Sequence, residues 1–463
     1  MNPFFAAILH RSAHIPSGEL IDRRFRGRIA FVHGLIAIMS LSSFHQSHRG
    51  RDAHQAVKQL HAFGAGRRRR RRSEGGDQKG WRHRHSEISR LTMAMEARLC
   101  FPRRDAAANQ IPMTFEIRTL TDLDYAGFDT VIDVRSPTEF TEDRIPGAIS
   151  LPVLTDEERA RVGTIYMQES PFLARKIGAA LVARNAARHI EGPLAGMDGG
   201  WKPLIYCWRG GQRSGSFTSI LSQIGWRAEK LQGGYMSYRR LVVERLYDLD
   251  FPAPVILLDG NTGTAKTEVL QHLSALGVQT LDLEGLANHR GSALGGMGPQ
   301  PSQKGFESAL AGQVARLDPA RPVVIEAESS KVGVLNLPPR LFAAMKAAPR
   351  VELTSPVDAR AAYLARAYCD VTAEPAKLEE RLDRLVRLQG RERVAAWKSL
   401  AAANAFVELA GELVVFHYDP RYVRVRARIG GERLAVLESC RLDPCDVQSL
   451  AERLAALVNT RSG

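Results

Sequence analysis

The stretch Pro203-Leu204-Ile205-Tyr206-Cys207-Trp208-Arg209-Gly210-Gly211-Gln212-Arg213-Ser214 decides how the first half of this 463-residue chain is read. Apolar residues running into a glycine turn predict a short buried strand that delivers Cys207 at its carboxyl end. Gly210 and Gly211 let successive backbone N–H groups turn inward as an anion-binding nest. A helix expected from about Ser214 adds the positive end of its dipole. Such surroundings favour a thiolate and hold a negative group carried on the sulfur. Cys207 is therefore expected to be a catalytic nucleophile assisted by Arg209 and Arg213, against the plainer alternative of a buried structural cysteine.

Upstream, Thr130-Val131-Ile132-Asp133-Val134-Arg135 predicts a buried strand ending in a charged pair, and Ser136-Pro137 a turn into a helix. Ile145 to Ile149 returns the chain to a short strand, and Thr155 to Ile190 is helix-rich. Strands alternating with helices imply a parallel α/β sheet, with its chemistry at the carboxyl ends of the strands. This first domain is expected over residues 113–246.

A second α/β domain is expected over residues 252–463. Val255-Ile256-Leu257-Leu258 predicts a strand, followed by Asp259-Gly260-Asn261-Thr262-Gly263-Thr264-Ala265-Lys266-Thr267 and an amphipathic helix to about Leu276. Strand, G-x-x-x-x-x-K-T loop and helix are the context of a phosphate-binding P-loop. Gly260, Gly263, Lys266 and Thr267 would grip phosphates, and Thr267 could ligate Mg²⁺. Ala265 stands where a second glycine is usual, and it is expected to adopt ordinary helical angles. The strand Pro322 to Ile325 ends in Glu326-Ala327-Glu328, where Glu326 is the expected metal- or water-orienting carboxylate. The polar segment Asp282-Leu283-Glu284-Gly285-Leu286-Ala287-Asn288-His289-Arg290-Gly291-Ser292, with Gly295-Gly296 and Gln300 to Gln303 beyond it, is long enough to suggest a binding task. Arg360, Arg366, Arg381, Arg384 and Arg387 could close on phosphates or RNA, or simply pair with acidic neighbours on their helices.

The formal charge of +14 belongs to one segment. Residues 1–112 hold 21 Lys and Arg against 8 Asp and Glu, and the rest of the chain 43 against 42, so overall basicity does not argue for nucleic-acid binding. That segment carries Arg67 to Arg72 and no sustained periodicity. It is expected to be a disordered basic arm, a targeting extension or, the favoured reading, translated upstream sequence preceding a domain that begins at Met113. Its most apolar part, Ile29 to Leu41, is too short to span a membrane. Cys100, Cys207, Cys369, Cys440 and Cys445 form no CxxC pair, which argues against a zinc site and fits a reducing, cytoplasmic setting. Cys440 and Cys445 are expected to be semi-buried thiols.

Cys207 to Arg213 also has the Cys-x5-Arg spacing of cysteine phosphatases. The surrounding blocks, Asp133-Val134-Arg135-Ser136-Pro137-Thr138-Glu139-Phe140, Ile145-Pro146-Gly147-Ala148-Ile149 and Gln232-Gly233-Gly234-Tyr235, resemble the rhodanese family in their order around the Cys loop. The chain as a whole, with a P-loop domain carrying Asp-Leu-Glu-Gly-Leu-Ala-x-His-Arg-Gly-Ser, resembles the tRNA 2-selenouridine synthases from about Phe115 onward. Ala265 and Ala327 depart from that family's pattern.

The resemblance implies a rhodanese-like parallel-sheet domain followed by a P-loop NTPase-like α/β domain. It also implies a transferase that replaces the sulfur of wobble 2-thiouridine in tRNAs for Lys, Glu and Gln by selenium. Geranyl diphosphate and selenophosphate would be the co-substrates, with Cys207 as a selenopersulfide carrier. Mg²⁺ is possible, no tightly bound cofactor is expected, and a monomer without membrane contact is implied. Another class stays open: a P-loop kinase or ATPase with an appended sulfurtransferase or Cys-x5-Arg phosphatase module.

Overall fold

The computed structural model of the protein describes residues 114–292, 294–426 and 432–460. The expectations for the basic segment 1–112 lie outside the described residues.

The first domain is built on β1 (Thr114–Phe115), β2 (Thr130–Asp133), β3 (Ile149–Ser150), β4 (Pro203–Tyr206) and β5 (Glu229–Leu231), all parallel, in the order β1-β5-β4-β2-β3. Every residue of β4 is buried, as a strand covered on both faces requires. β2 ends at Asp133, sooner than its β-branched run suggests, because Asp133 and Arg135 fold onto one another. Arg135 Nη2 lies 2.7 Å from Asp133 Oδ2, both side chains being inaccessible to solvent. The helix Pro137–Glu142 starts with a Ser136–Glu139 capping box and proline in its first turn. The helix-rich stretch forms Asp156–Gln168 and Pro171–Glu191, capped by the hydroxyls of Thr155 and Ser170.

The second domain carries β6 (Val255–Gly260), β7 (Gln279–Leu281), β8 (Val323–Glu326), a hairpin of β9 (Lys331–Val332) and β10 (Leu335–Asn336), then β11 (Arg350–Thr354) and β12 (Arg433–Glu438). Its five-stranded sheet runs β12-β11-β6-β8-β7, again all parallel. Between β11 and β12 the chain forms a set of helices, from Val357–Ala367 to Asp419–Arg426. They enclose a core of their own around Leu382, Trp397, Leu413 and Val414.

A single apolar core runs from one domain into the other, joining Tyr206, Leu231 and Tyr235 to Leu257, Phe306 and Leu310. Asp143, 2% exposed, ties the seam: its Oδ2 accepts hydrogen bonds from Tyr235 OH at 2.6 Å and from Ser308 Oγ at 2.9 Å. Burial pushes the Asp143 carboxyl up, against the pull of those two donors. Arg239 bonds Glu307 nearby, and Tyr247 OH donates to the same carboxylate at 2.7 Å. Cys440 and Cys445 are exposed rather than semi-buried, as is Cys369. Among the described residues no helix is long and apolar enough to cross a membrane.

Candidate functional site

The residues expected to carry chemistry gather in two places. The first is the loop after β4. Cys207 is 3% exposed and its Sγ lies 3.2 Å from Ser214 Oγ. The helix beyond spans Gln212–Ile224, so it begins two residues before the expected start. The Gln232-Gly233-Gly234-Tyr235 block supports the loop from below: Tyr235 N donates to Cys207 O at 2.8 Å and Met236 N to Trp208 O at 3.1 Å. Both Gly210 (φ +64°) and Gly234 (φ +61°) occupy left-handed conformations, and a β-carbon on Gly234 would overlap the Cys207 carbonyl. The approach of these two turns is what glycine permits there.

The arginines divide. Arg209 is exposed. Arg213 Nη1 bonds Glu139 Oε2 at 2.8 Å, and Arg159 reaches the same oxygen at 3.1 Å. Although burial acts to raise the Glu139 carboxyl, Arg213 and its other partners hold it below the usual carboxylate range. A Cys-x5-Arg phosphatase needs its arginine facing the bound phosphate; here that charge is engaged by a carboxylate from the capping box. Trp208 packs with its ring centroid 5.2 Å from that of Tyr235 and belongs to the apolar core.

The second place is a cavity of about 970 Å³ over the P-loop. Gly260 has φ +155° and Gly263 φ +89°. A β-carbon on Gly263 would come within 3.0 Å of Leu364. Ala265 departs from expectation: it sits at φ 60°, ψ 25°, in the left-handed region that a glycine would occupy without strain. Lys266 heads the helix Lys266–Ala275, and its Nζ donates to Gly260 O at 2.8 Å. Burial acts to lower the Lys266 ammonium, but Tyr422, Glu284, Glu328 and Glu326 hold it above its ordinary range.

Glu284 and Glu328 line this cavity, and Glu326 does not. Glu326 is still within β8 and has no accessible surface. Burial and the charges of Glu284 and Asp282 push its carboxyl up to about 8. Two residues on, past the strand, Glu328 reaches the cavity, and burial followed by Glu284 and Glu326 pushes it well up. Glu284 comes from the segment whose task was unassigned; its Oε2 accepts from Thr267 Oγ1 at 2.9 Å. Burial raises it too, with Lys266 and Thr267 pulling the other way. Gly291, at φ +61°, closes over this pair, and any β-carbon there would overlap both carboxylates.

Of the later arginines, Arg360 is 3% exposed and braces the loop. It donates to Thr262 O at 2.7 and 3.0 Å and to Asp419 at 2.7 and 2.9 Å. Arg381 bonds the carbonyls of Leu294 and Gly296, Arg366 that of Leu442, and Arg384 pairs with Glu380. Arg387 is exposed. Tyr368, Arg421 and Tyr422 line the cavity opposite the loop.

Residues 119–241 match the family model described as a rhodanese-like domain, and residues 253–437 the model described as the tRNA 2-selenouridine synthase AAA domain. The chain is 36% identical over 246 residues to the tRNA 2-selenouridine synthase of Psychromonas ingrahamii, a match covering 53% of this chain and 66% of that protein. That is just short of two thirds of the relative's length. For the protein of that name from Aeromonas salmonicida the identity is 36% over 264 residues, with 56% and 69% covered. For the one from Hahella chejuensis it is 32% over 346 residues, with 72% and 78% covered. The two domain matches fall in this order on one chain, around the thiol loop and the phosphate loop, and the chain belongs to the tRNA 2-selenouridine synthase family.

Proposed function

We propose that the chain is a tRNA-modifying transferase that converts wobble 2-thiouridine to 2-selenouridine in two steps, one at each site. The observation that carries the reading is the presence, on one body, of a loop-seated thiol and a phosphate cradle whose cavity is far larger than a phosphate needs.

In the first step the thiocarbonyl sulfur bonds the allylic carbon of geranyl diphosphate, the carbon–oxygen bond breaks and diphosphate leaves. Gly260, Gly263, Lys266 and Thr267 hold the charge that develops on the leaving group. Alkylating the sulfur also releases the N3 proton of the base, and the Glu284–Glu328 pair lies at the cavity wall to accept it. The oxygens of Thr267, Glu284 and Glu328 suit Mg²⁺, which takes few protein ligands together with substrate phosphates. When bound, it would neutralise phosphate charge.

In the second step the Cys207 thiolate attacks the selenium of selenophosphate, the selenium–phosphorus bond breaks with its electron pair left on phosphorus so that phosphite departs, and Cys207 carries the selenium as a selenopersulfide. The terminal selenium attacks C2, the geranylthiol leaves, and a thiol reductant frees the cysteine. The amides of the loop hold the charge on selenium, with Arg209 at its rim; Arg213 can join only by leaving Glu139. The substrates are tRNAs for Lys, Glu and Gln, whose unpaired wobble base can be splayed into each site. The protein acts as a cytoplasmic monomer.

Mass spectrometry of tRNA treated with the purified chain tests this. Cys207→Ser should abolish selenouridine while S-geranylated thiouridine accumulates, and Lys266→Ala should block geranylation itself. Equal loss of geranylation in both variants would overturn the division of labour.

A further inference from the structure

The short helix Val414–Tyr418 brings His417 to the wall of the large cavity, and the residue is only 1% exposed. Its ring is fixed from one side. Nδ1 lies 3.2 Å from Gln389 Nε2, and the other end of that amide, Oε1, accepts from Arg393 Nη1 at 3.3 Å. Because Arg393 can only donate, Gln389 turns its NH2 group to the imidazole, Nδ1 is the acceptor, and the proton of the neutral ring sits on Nε2. Burial, with Arg421 one turn on, holds His417 down at about 4, so the ring stays neutral at neutral pH. Nε2 is buried and meets no partner among the described residues. A buried N–H without an acceptor is costly, so such a group marks where a ligand's acceptor belongs. Of the His417–Gln389 pair only His417 lines the cavity. With Gln389 on the Nδ1 side of the ring, the side turned to the cavity is that of Nε2.

We infer that His417 Nε2–H donates to the 4-carbonyl oxygen of the uracil ring brought to this cavity, and so selects the base. The inference rests on the alkylation step proposed above and adds to it the group that tells one pyrimidine from the other. Position 4 is where they differ: uracil presents a carbonyl acceptor, cytosine an amino donor. A neutral ring whose acceptor nitrogen is already occupied by Gln389 has only a donor to offer. Against the carbonyl the hydrogen bond is made; against the amino group two donors meet and both are left desolvated and unpaired. Phosphate charge has Lys266 and Arg421 in the same cavity, whereas a neutral donor is matched to a neutral acceptor. With Glu284 and Glu328 as acceptors of the N3 proton, a donor at the 4-carbonyl completes the edge pattern of uracil.

The test measures S-alkylation by geranyl diphosphate of two anticodon stem-loop RNAs, alike except for 2-thiouridine or 2-thiocytidine at the wobble position, using the full chain. The parent should favour 2-thiouridine in kcat/KM by about a hundredfold or more. In His417→Phe, which keeps most of the ring's bulk and removes the donor, that ratio should fall by roughly tenfold or more. Gln389→Met frees Nδ1, so the proton can move there and Nε2 can accept; the ratio should fall again, here through a gain by 2-thiocytidine. Because each readout is a ratio within one protein, lowered stability of a variant does not imitate it, and if His417→Phe is inactive Gln389→Met decides alone. Alkylation of 2-thiouridine with a ratio that these substitutions do not move overturns the assignment of His417 and leaves the proposed reaction standing. No alkylation of either RNA by the parent overturns the reaction itself, and the selection of the base with it.

Discussion

Replacing Arg360 by Met should loosen the P-loop through its backbone. The guanidinium, 4% exposed as a side chain, makes four short hydrogen bonds: two to the carbonyl of Thr262 inside the loop and two to Asp419. Met fills a similar length but donates nothing, so Asp419 keeps Asn261 Nδ2 at 2.9 Å as its remaining partner from the loop. Breaking a buried pair from one side costs about 3 to 5 kcal/mol. Asp419 is 28% exposed, so water recovers part of this and the low end, about 3 kcal/mol, applies. For a cooperative unit of 150 to 250 residues that lowers Tm by about 6 to 12 °C.

The assay is calorimetry on Arg360→Met, Asp419→Leu and the double variant, with titration of inorganic pyrophosphate on each. The double variant should be much less destabilised than the two single effects predict together, with a coupling of about 1 to 3 kcal/mol. Pyrophosphate should weaken about tenfold in Arg360→Met, since the loop is held but not replaced. A Tm within about 2 °C of the parent, together with complete loss of pyrophosphate binding, would mean that Arg360 serves as a direct phosphate ligand and refute the bracing account.

Other outcomes follow from the same geometry. Glu326 is held at about 8 in the fold against an ordinary 4.5. The neutral carboxyl therefore contributes stability that is whole below about 4.5 and drains as pH rises to about 8. Thermal melts of Glu326→Gln from pH 5 to 9 should be flatter than those of the parent; parallel curves would contradict the assignment. Glu328→Gln should slow geranylation about a hundredfold and remove the acidic limb of its pH–rate profile, leaving pyrophosphate affinity measured without Mg²⁺ little changed, because it removes a proton acceptor and no direct phosphate ligand. Gly291→Ala should depress the same step, seen as lost geranylation in tRNA with Cys207 alkylation unaffected, since its methyl displaces the carboxylate pair. Ser308→Ala, which deprives the buried Asp143 of one donor, should cost about 2 kcal/mol in denaturant unfolding.

What could be read from sequence was what lies close in sequence. β4, the P-loop strand and the Ser136–Glu139 capping box each declare themselves within a few residues. The misplacements share one cause, which is partnership across distance. Arg213 looked like a guard of the thiol because its engagement by Glu139, 74 positions away, has no local signature. Glu326 looked like the working carboxylate because it ends the strand. Strand alternation does not say that Glu284, from another segment, would meet Thr267 and line the cavity while Glu326 stays buried at the end of β8. The signal for Glu284 was available in the cost of ordering residues 282–292, though not its target. Ala265 carried a subtler lesson: the loop's path, set by Gly263 and Lys266 on either side, imposes its left-handed angles on whatever residue stands there.

The apolar core shared by Tyr235, Leu257 and Phe306, stitched by Asp143, has a kinetic consequence. A seam of that kind holds the thiol loop and the phosphate loop in one packed frame, which resists either swinging toward the other. Under the two-step reaction it is the anticodon that must commute, withdrawing its greasy, S-alkylated base from one station and presenting it at the next. Each transfer is then a race between re-docking and escape, and dilution should raise the yield of half-finished tRNA in solution.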